Sequence, residues 1–215
     1  MQTLIDNIGK ILDGFQLTVI IFAGGTVLAL GVGTVLAAMR VSPVPPLRLA
    51  GAAYVNVVRN TPLLLVFIIV VFGLPEVGVQ LSFRLFAMLA VGVYTAAFVT
   101  EALRSGINTV GAGQAEAARS IGMTFGQTLS QVVMPQAARS VIPPLGSILI
   151  ALLKNTSVAA GFGVIEATGT LRNLGRDNPQ ALYWLFLGIA AGYIILVLLI
   201  SVVFRVLEHR LVVVR

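Results

Sequence analysis

The sequence predicts an all-α membrane protein of about five transmembrane helices, and three observations carry that expectation. Of the 215 residues, 58% are hydrophobic and only 10% are charged, with a mean hydropathy of +1.00. A soluble domain has about 25% charged residues, so this chain lacks the charge to cover a water-facing surface of its size. Five segments reach or approach the roughly 20 helical residues that cross a bilayer core at about 1.5 Å each. Those runs are also far too long for barrel strands and lack alternation of period two. Inside lipid only helices and closed barrels satisfy the backbone, so helices remain.

Each element follows in order. Met1–Phe15 does not read as a signal peptide: Asp6 and Asp13 stand where a basic segment belongs, and no small-residue cleavage site follows a short apolar core. The first span, Gly14–Met39, is uncharged, and its Gly24, Gly25, Gly31 and Gly33 favour close helix packing. Arg40–Arg48 (RVSPVPPLR) is expected to break helix and run at the surface. The second span, Ala52–Leu74, holds one charge, Arg59, followed by Asn60-Thr61-Pro62. Leu74–Arg84 is a short turn, and Phe86–Thr100 is a third span that reaches full length with Arg84 and Glu101 at its ends. Glu101 and Arg104, three apart at that helix end, read as a local pair. The fourth span, Val141–Ile165, contains only Lys154, and Thr168–Pro179 reads as a turn-rich loop. The fifth, Asn178–Phe204, is uncharged, with Tyr183 and Trp184 suited to an interface. The whole chain, 1–215, forms a single domain.

Basic residues set the direction. With the N-terminus outside, eight of the fourteen fall in cytoplasmic segments: Arg40, Arg48, Arg104, Arg119, Arg139, Arg205, Arg210 and Arg215. Lys10, Arg84, Arg172 and Arg176 fall outside, and Arg59 and Lys154 within spans. The excess favours N-outside and C-inside. A net charge of +6 does not point to nucleic acid, because the basic residues are scattered singly between apolar runs. There is no cysteine, and the single His209 sits in a charged tail without partners for a metal. No G-x-x-x-x-G-K-[ST] loop is present to cradle ATP. Five helices can hardly enclose a polar pathway alone, so a partner subunit is expected.

The longest polar stretch, about 105–139, carries the most information. Gln114–Ser120 is a helix with Glu116 in its first turn, Gly122 a turn, and Thr124 the cap of a second short helix through Val133, after which Pro135 begins a new segment. The pattern Glu116-Ala117-Ala118, three residues, Gly122, nine residues, Val132-x-Met134-Pro135 resembles the cytoplasmic loop of ABC-importer permeases. Val132 and Met134 stand where that family more often has Ile and Leu. The resemblance implies a type I importer permease fold in a bacterial cytoplasmic (inner) membrane. It implies that Glu116, Ala117, Ala118, Arg119, Gly122 and Pro135 shape the contact with a separate ATPase. ATP and Mg would bind that partner, with no cofactor on this chain. It further implies a second permease subunit and an extracytoplasmic amino-acid-binding protein.

Two polar clusters lie within the spans. Arg59-Asn60-Thr61-Pro62 reads either as a snorkelling arginine or as a kinked, water-lined gate. Lys154-Asn155-Thr156-Ser157 covers every direction around a helix, so some of it faces a cavity or another helix. Both clusters resemble R-x-T-P and K-x-T-S segments of the polar-amino-acid branch of these permeases. Met39–Pro43 and Glu101–Asn108 look like those of glutamate-uptake permeases, and a carboxylate-bearing substrate suits the cationic Arg59 and Lys154. A carrier using Glu101, Arg59 and Lys154 as relay charges leaves the loop pattern unexplained. A membrane enzyme finds no convergent acid, base or metal groups.

Overall fold

The computed structural model describes residues 2–211, whose regular elements are all helices, with no strand among them. A short helix, Gln2–Asp6, leads into α1 (Ile8–Val41). The proline-rich stretch breaks the chain only at Ser42–Val44, and α2 (Pro45–Arg59) begins on Pro45. The expected break is present and the stretch is exposed, but helix resumes at once because a proline at the first helical position lacks only a donor that would be unpaired there in any case.

The expected second span is not one helix. α2 ends at Arg59, and α3 (Leu63–Ile68) continues through a π turn, Ile69–Gly73, to Glu76 at 106° to α2. Pro62 is extended (φ −59°, ψ 137°) and opens α3. The α2 carbonyls released by the break are not left bare: Asn60 Nδ2 donates to the Asn56 carbonyl at 2.7 Å and Thr61 Oγ1 to that of Val57 at 2.8 Å.

α4 (Phe83–Asn108) runs beside α1 along a seam of small residues. A Cβ on Gly25 would meet Val91, one on Gly92 would meet Leu28, and one on Gly33 would meet Val99. Contact positions rise together on both helices, so α1 and α4 are parallel, and the bent α2–α3 pair acts as one return crossing. Gly31 departs from the expected packing role, since a Cβ there meets nothing within 4 Å. After α5 (Ala112–Ser120) the chain stays helical from Phe125 through a π segment, Thr128–Val133, into α6 (Met134–Asn155). Pro135 stands at the start of α6, as expected, although the helical run is continuous there. It lies next to the π turn, where the i→i+4 pattern is already relaxed.

α6 runs antiparallel to α4: Gly106 meets Ala137 and Val141, and Thr109 bonds Ser140 at 3.0 Å. The expected fourth span ends at Asn155, and Thr156–Phe162 tightens into a 3₁₀ segment closed by Gly163 at φ 85°. α8 (Leu182–Leu211) returns parallel to α1, with Gly188 against Leu4 and Gly192 against Phe15. The start of α1 and the end of α8 thus lie on opposite sides of the bundle. The core gathers Ile21, Phe67, Val91 and Leu152, with Phe162 stacked on Phe67 at 5.1 Å.

The expected loop at 168–179 is a helix, α7 (Ala167–Asp177). The fully buried Glu166 caps it, its Oε1 accepting from Gly169 N at 3.0 Å and its Oε2 from Thr168 N at 3.0 Å. Tyr193 from α8 donates to Oε2 at 2.8 Å, and the Thr18 hydroxyl from α1 reaches it at 3.2 Å. Two glycines made this segment look like loop. A cap and the apolar face of Leu171 and Leu174, packed on a second cluster with Ile11 and Leu185, outweigh them.

Candidate translocation and coupling sites

Between α4 and α6 lies a cavity of about 210 Å³, lined by Tyr94, Thr95, Phe98, Ile148, Leu152 and Asn155 among others. A second, of about 270 Å³, lies where the 3₁₀ segment, α7 and α8 meet, lined by Lys154, Ser157, Thr168 and Tyr193 with apolar side chains. The cluster 154–157 is therefore divided. Asn155 faces the first cavity, while Lys154 and Ser157 face the second. Thr156 is fully buried and donates to the Leu153 carbonyl at 2.7 Å. Ordinary helical spacing produces the divergence: neighbouring residues point about 100° apart, whereas Lys154 and Ser157, three apart, share a face. Lys154 makes no ion pair among the described residues.

Arg59 is not isolated within a span. Three arginines surround Glu101: Arg40 Nη2 at 3.1 Å from Oε1, Arg104 Nη2 at 2.9 Å from Oε2, and Arg59 Nη1 at 3.8 Å from Oε2. The expected Glu101–Arg104 pair is present and bidentate, its second bond running from Nε at 3.2 Å. Arg40 and Arg59 come from elements 40 to 60 positions away, and no local pattern in the sequence connects them to Glu101. Arg59 is the most exposed of the three, with 43% of its side chain open, and its Cζ stands 5.4 Å from the centre of the Phe98 ring. Asn60 and Thr61 serve the end of α2 instead, as above.

The loop between α4 and α6 places α5 against the π segment, with Ala118 buried while Glu116, Ala117 and Arg119 face outward. Helix α5 starts at Ala112, so Glu116 lies in its second turn rather than its first. Gly122 has φ 90°, a left-handed conformation that costs a residue with a Cβ roughly 1–2 kcal/mol. It reverses the chain after α5 and leaves Ile121 81% and Phe125 75% exposed on either side. Thr124 closes a capping box with Gln127, its backbone N donating to Gln127 Oε1 at 2.9 Å. Pro135 is exposed near the start of α6. The outcome is a short rigid helix with an apolar tip, attached to the longest helical run in the molecule.

Four helices among the described residues are long and apolar enough to cross a membrane, or five crossings if the bent α2–α3 pair is counted as one span. Together with the helix–glycine–helix projection, these helices define a multi-pass membrane protein. The chain belongs to the family described as binding-protein-dependent transport system inner membrane component, matched over residues 11–213. It is 42% identical to the glutamate transport system permease protein GluC of Corynebacterium glutamicum, covering 99% of both chains. It is 37% identical to the probable glutamine ABC transporter permease protein GlnM of Bacillus subtilis, covering 98% of this chain and 97% of that one. In structure it superposes with a TM-score of 0.90 on a crystal structure of an amino acid ABC transporter with histidines, at 27% identity and 97% coverage of each chain. Structures of the MetNI methionine ABC transporter share the fold at 21% identity and a TM-score of 0.69. The protein is thus the permease subunit of an amino acid ABC importer of type I fold, working with ATPase subunits and a substrate-binding protein.

Proposed function

We propose that this importer carries glutamate or a close relative. The observation that carries the reading is a surplus of unneutralised cation: Lys154 lines its cavity without an ion pair, and one carboxylate faces three arginines around Glu101. Such a pathway favours a carboxylate-bearing substrate over a cationic one. The likeness to a glutamate permease supports the same assignment. Arg59, Asn60, Thr61 and the 154–157 segment form the proposed pathway, with Asn155 in the α4–α6 cavity as its polar contact and Thr156 supporting the turn from within.

The chain lies N-outside and C-inside, which puts α5 in the cytoplasm. Helix α5 and the Gly122 turn dock in a groove of the ATPase, where Glu116 and Arg119 offer charge and Ile121 and Phe125 an apolar tip. ATP and Mg sit on that partner. A second permease subunit, identical or homologous, completes the pathway that five crossings cannot enclose. Competition of labelled-glutamate uptake by unlabelled glutamate, aspartate and glutamine tests the substrate. Indifference to all three refutes it.

A further inference from the structure

We propose that Glu101 is a positioning residue. It gathers three arginines at the cytoplasmic end of α4 and thereby presents Arg59, across the Phe98 ring, as the group that receives the amino acid's carboxylate at the mouth of the α4–α6 cavity. The inference rests on the reading of the chain as an amino acid permease and deepens it by naming the receiving cation and what holds it.

Three features separate Arg59 from its companions. Arg104 is clamped by two bonds and Arg40 by one close contact of 3.1 Å, whereas Arg59 approaches Glu101 only to 3.8 Å. Arg59 is also 43% exposed, against 17% for Arg40 and 32% for Arg104. It alone of the three stands on an aromatic face, 5.4 Å from the centre of Phe98, a residue that lines the cavity with Asn155.

The charge balance gives the direction. A single carboxylate cannot neutralise three guanidinium groups, so the cluster keeps two positive charges, and the most loosely held arginine is the one free to take a second anion. An arginine offers a planar fork that matches a carboxylate bidentately, and the ring keeps the fork's plane in place. The carboxylate of Glu101 performs a second task. Without it Arg40, Arg59 and Arg104 repel one another, and Arg59, the least restrained, leaves the cavity mouth. Every amino acid carries a carboxylate, so the role does not depend on which one is imported.

The test is a double-mutant cycle in the full importer, permease with its ATPase and binding protein, reconstituted in proteoliposomes. Turnover is measured at saturating binding protein with glutamate, aspartate or glutamine, whichever the wild type carries. Basal ATP hydrolysis and melting temperature are recorded beside it. Arg59→Gln is expected to cut turnover on the order of tenfold, the scale of one charge-assisted hydrogen-bonded pair. Glu101→Gln is expected to cut it comparably, and the double variant no further, because Glu101 acts through Arg59. Phe98→Leu, which keeps every charge, is expected to lower turnover about threefold, the low end for loss of a cation–π contact. Melting temperature is expected to fall with Glu101→Gln, which leaves three arginines unneutralised, but to stay near wild type with Arg59→Gln and Phe98→Leu, so that the loss of turnover in those two is not a loss of fold.

If the effects of Arg59→Gln and Glu101→Gln multiply, or if turnover falls only in step with melting temperature, the cluster is a strut and the inference is wrong. If glutamate is not carried but glutamine is, the substrate assignment alone fails and the cycle is read with glutamine. If none of the three is carried, the substrate assignment alone fails and the cycle is read with the amino acid that the importer does carry.

Discussion

Replacing Glu166 tests how much of the fold depends on one buried carboxylate. Its oxygens accept from two backbone amides of α7 and from Thr18 and Tyr193 on two neighbouring helices. Glu166→Ala removes an N-cap, worth about 1 kcal/mol. It also removes two interhelical bonds, at about 0.6 kcal/mol each in membrane proteins. The Gly169 and Thr168 amides, the first of them buried, and the Tyr193 hydroxyl then lose their acceptor, and a stranded buried donor costs about 1–3 kcal/mol. Tyr193 retains Thr168 Oγ1 at 3.2 Å, so the additional cost falls chiefly on the amides. The expected loss is about 3–5 kcal/mol. Tyr193→Phe removes one donor and leaves the carboxylate three, so about 0.6 kcal/mol is expected. Unfolding of the detergent-solubilised chain in a denaturant series reads both values. If Tyr193→Phe costs as much as Glu166→Ala, or if Glu166→Ala costs under about 1 kcal/mol, the carboxylate does not hold these three helices and the reasoning is refuted.

Other outcomes follow from single positions. Gly106→Val places a side chain against Val141 and the Ala137 carbonyl, and overpacking of that kind is expected to cost about 1–3 kcal/mol in the same unfolding assay. Gly122→Val, at φ 90°, is expected to misdirect the turn after α5, so that the permease inserts normally but co-purifies poorly with its ATPase. Ile121→Glu is expected to weaken the same co-purification by introducing a charge on the apolar tip, while the melting temperature of the isolated permease, where that residue is 81% exposed, stays unchanged. Asn155→Asp adds an anion to the α4–α6 cavity and is expected to lower glutamate uptake severalfold while leaving basal ATP hydrolysis intact, as measured with labelled substrate in vesicles.

Apolar run length was a dependable guide because lipid imposes it. α1 and α4 extend past the expected spans at both ends, and α8 starts four residues later than expected and runs on past Phe204, but all three occupy the expected places, since nothing within a bilayer can compete with intrahelical hydrogen bonding. The local signals at Gly122 and Thr124 were legible for a similar reason: a left-handed turn and a capping box are short-range chemistry. What escaped was decided at a distance. The bend at Pro62 was expected only as a kink, and its 106° reflects where α2 packs on α1 and α4. The Glu101 cluster joins residues from three helices, so only the Arg104 leg had a readable spacing. Glu166 drew no attention because a carboxylate beside an apolar run looks like the end of a span. Its role depends on Thr18 and Tyr193, 148 and 27 positions away. A readable sign was present all the same, an acidic cap ahead of the apolar face of Leu171 and Leu174.

The unbroken helical run that begins at Phe125 has a mechanical consequence. One end carries the exposed tip beside Gly122 and the other brings Asn155 to the α4–α6 cavity, about 45 Å away at 1.5 Å per residue. Such a run behaves as a connecting rod pivoting where Gly146 rests on Phe204 and Leu149 and Leu152 enter the core. A tilt of about 10° about Leu149 moves the tip by roughly 6 Å and Asn155 by under about 2 Å, in opposite senses, a movement ordinary for packed helices that shear and hinge. A pull at the tip beside Gly122 is therefore felt as a push at the cavity, with no need for the intervening residues to change their own conformation.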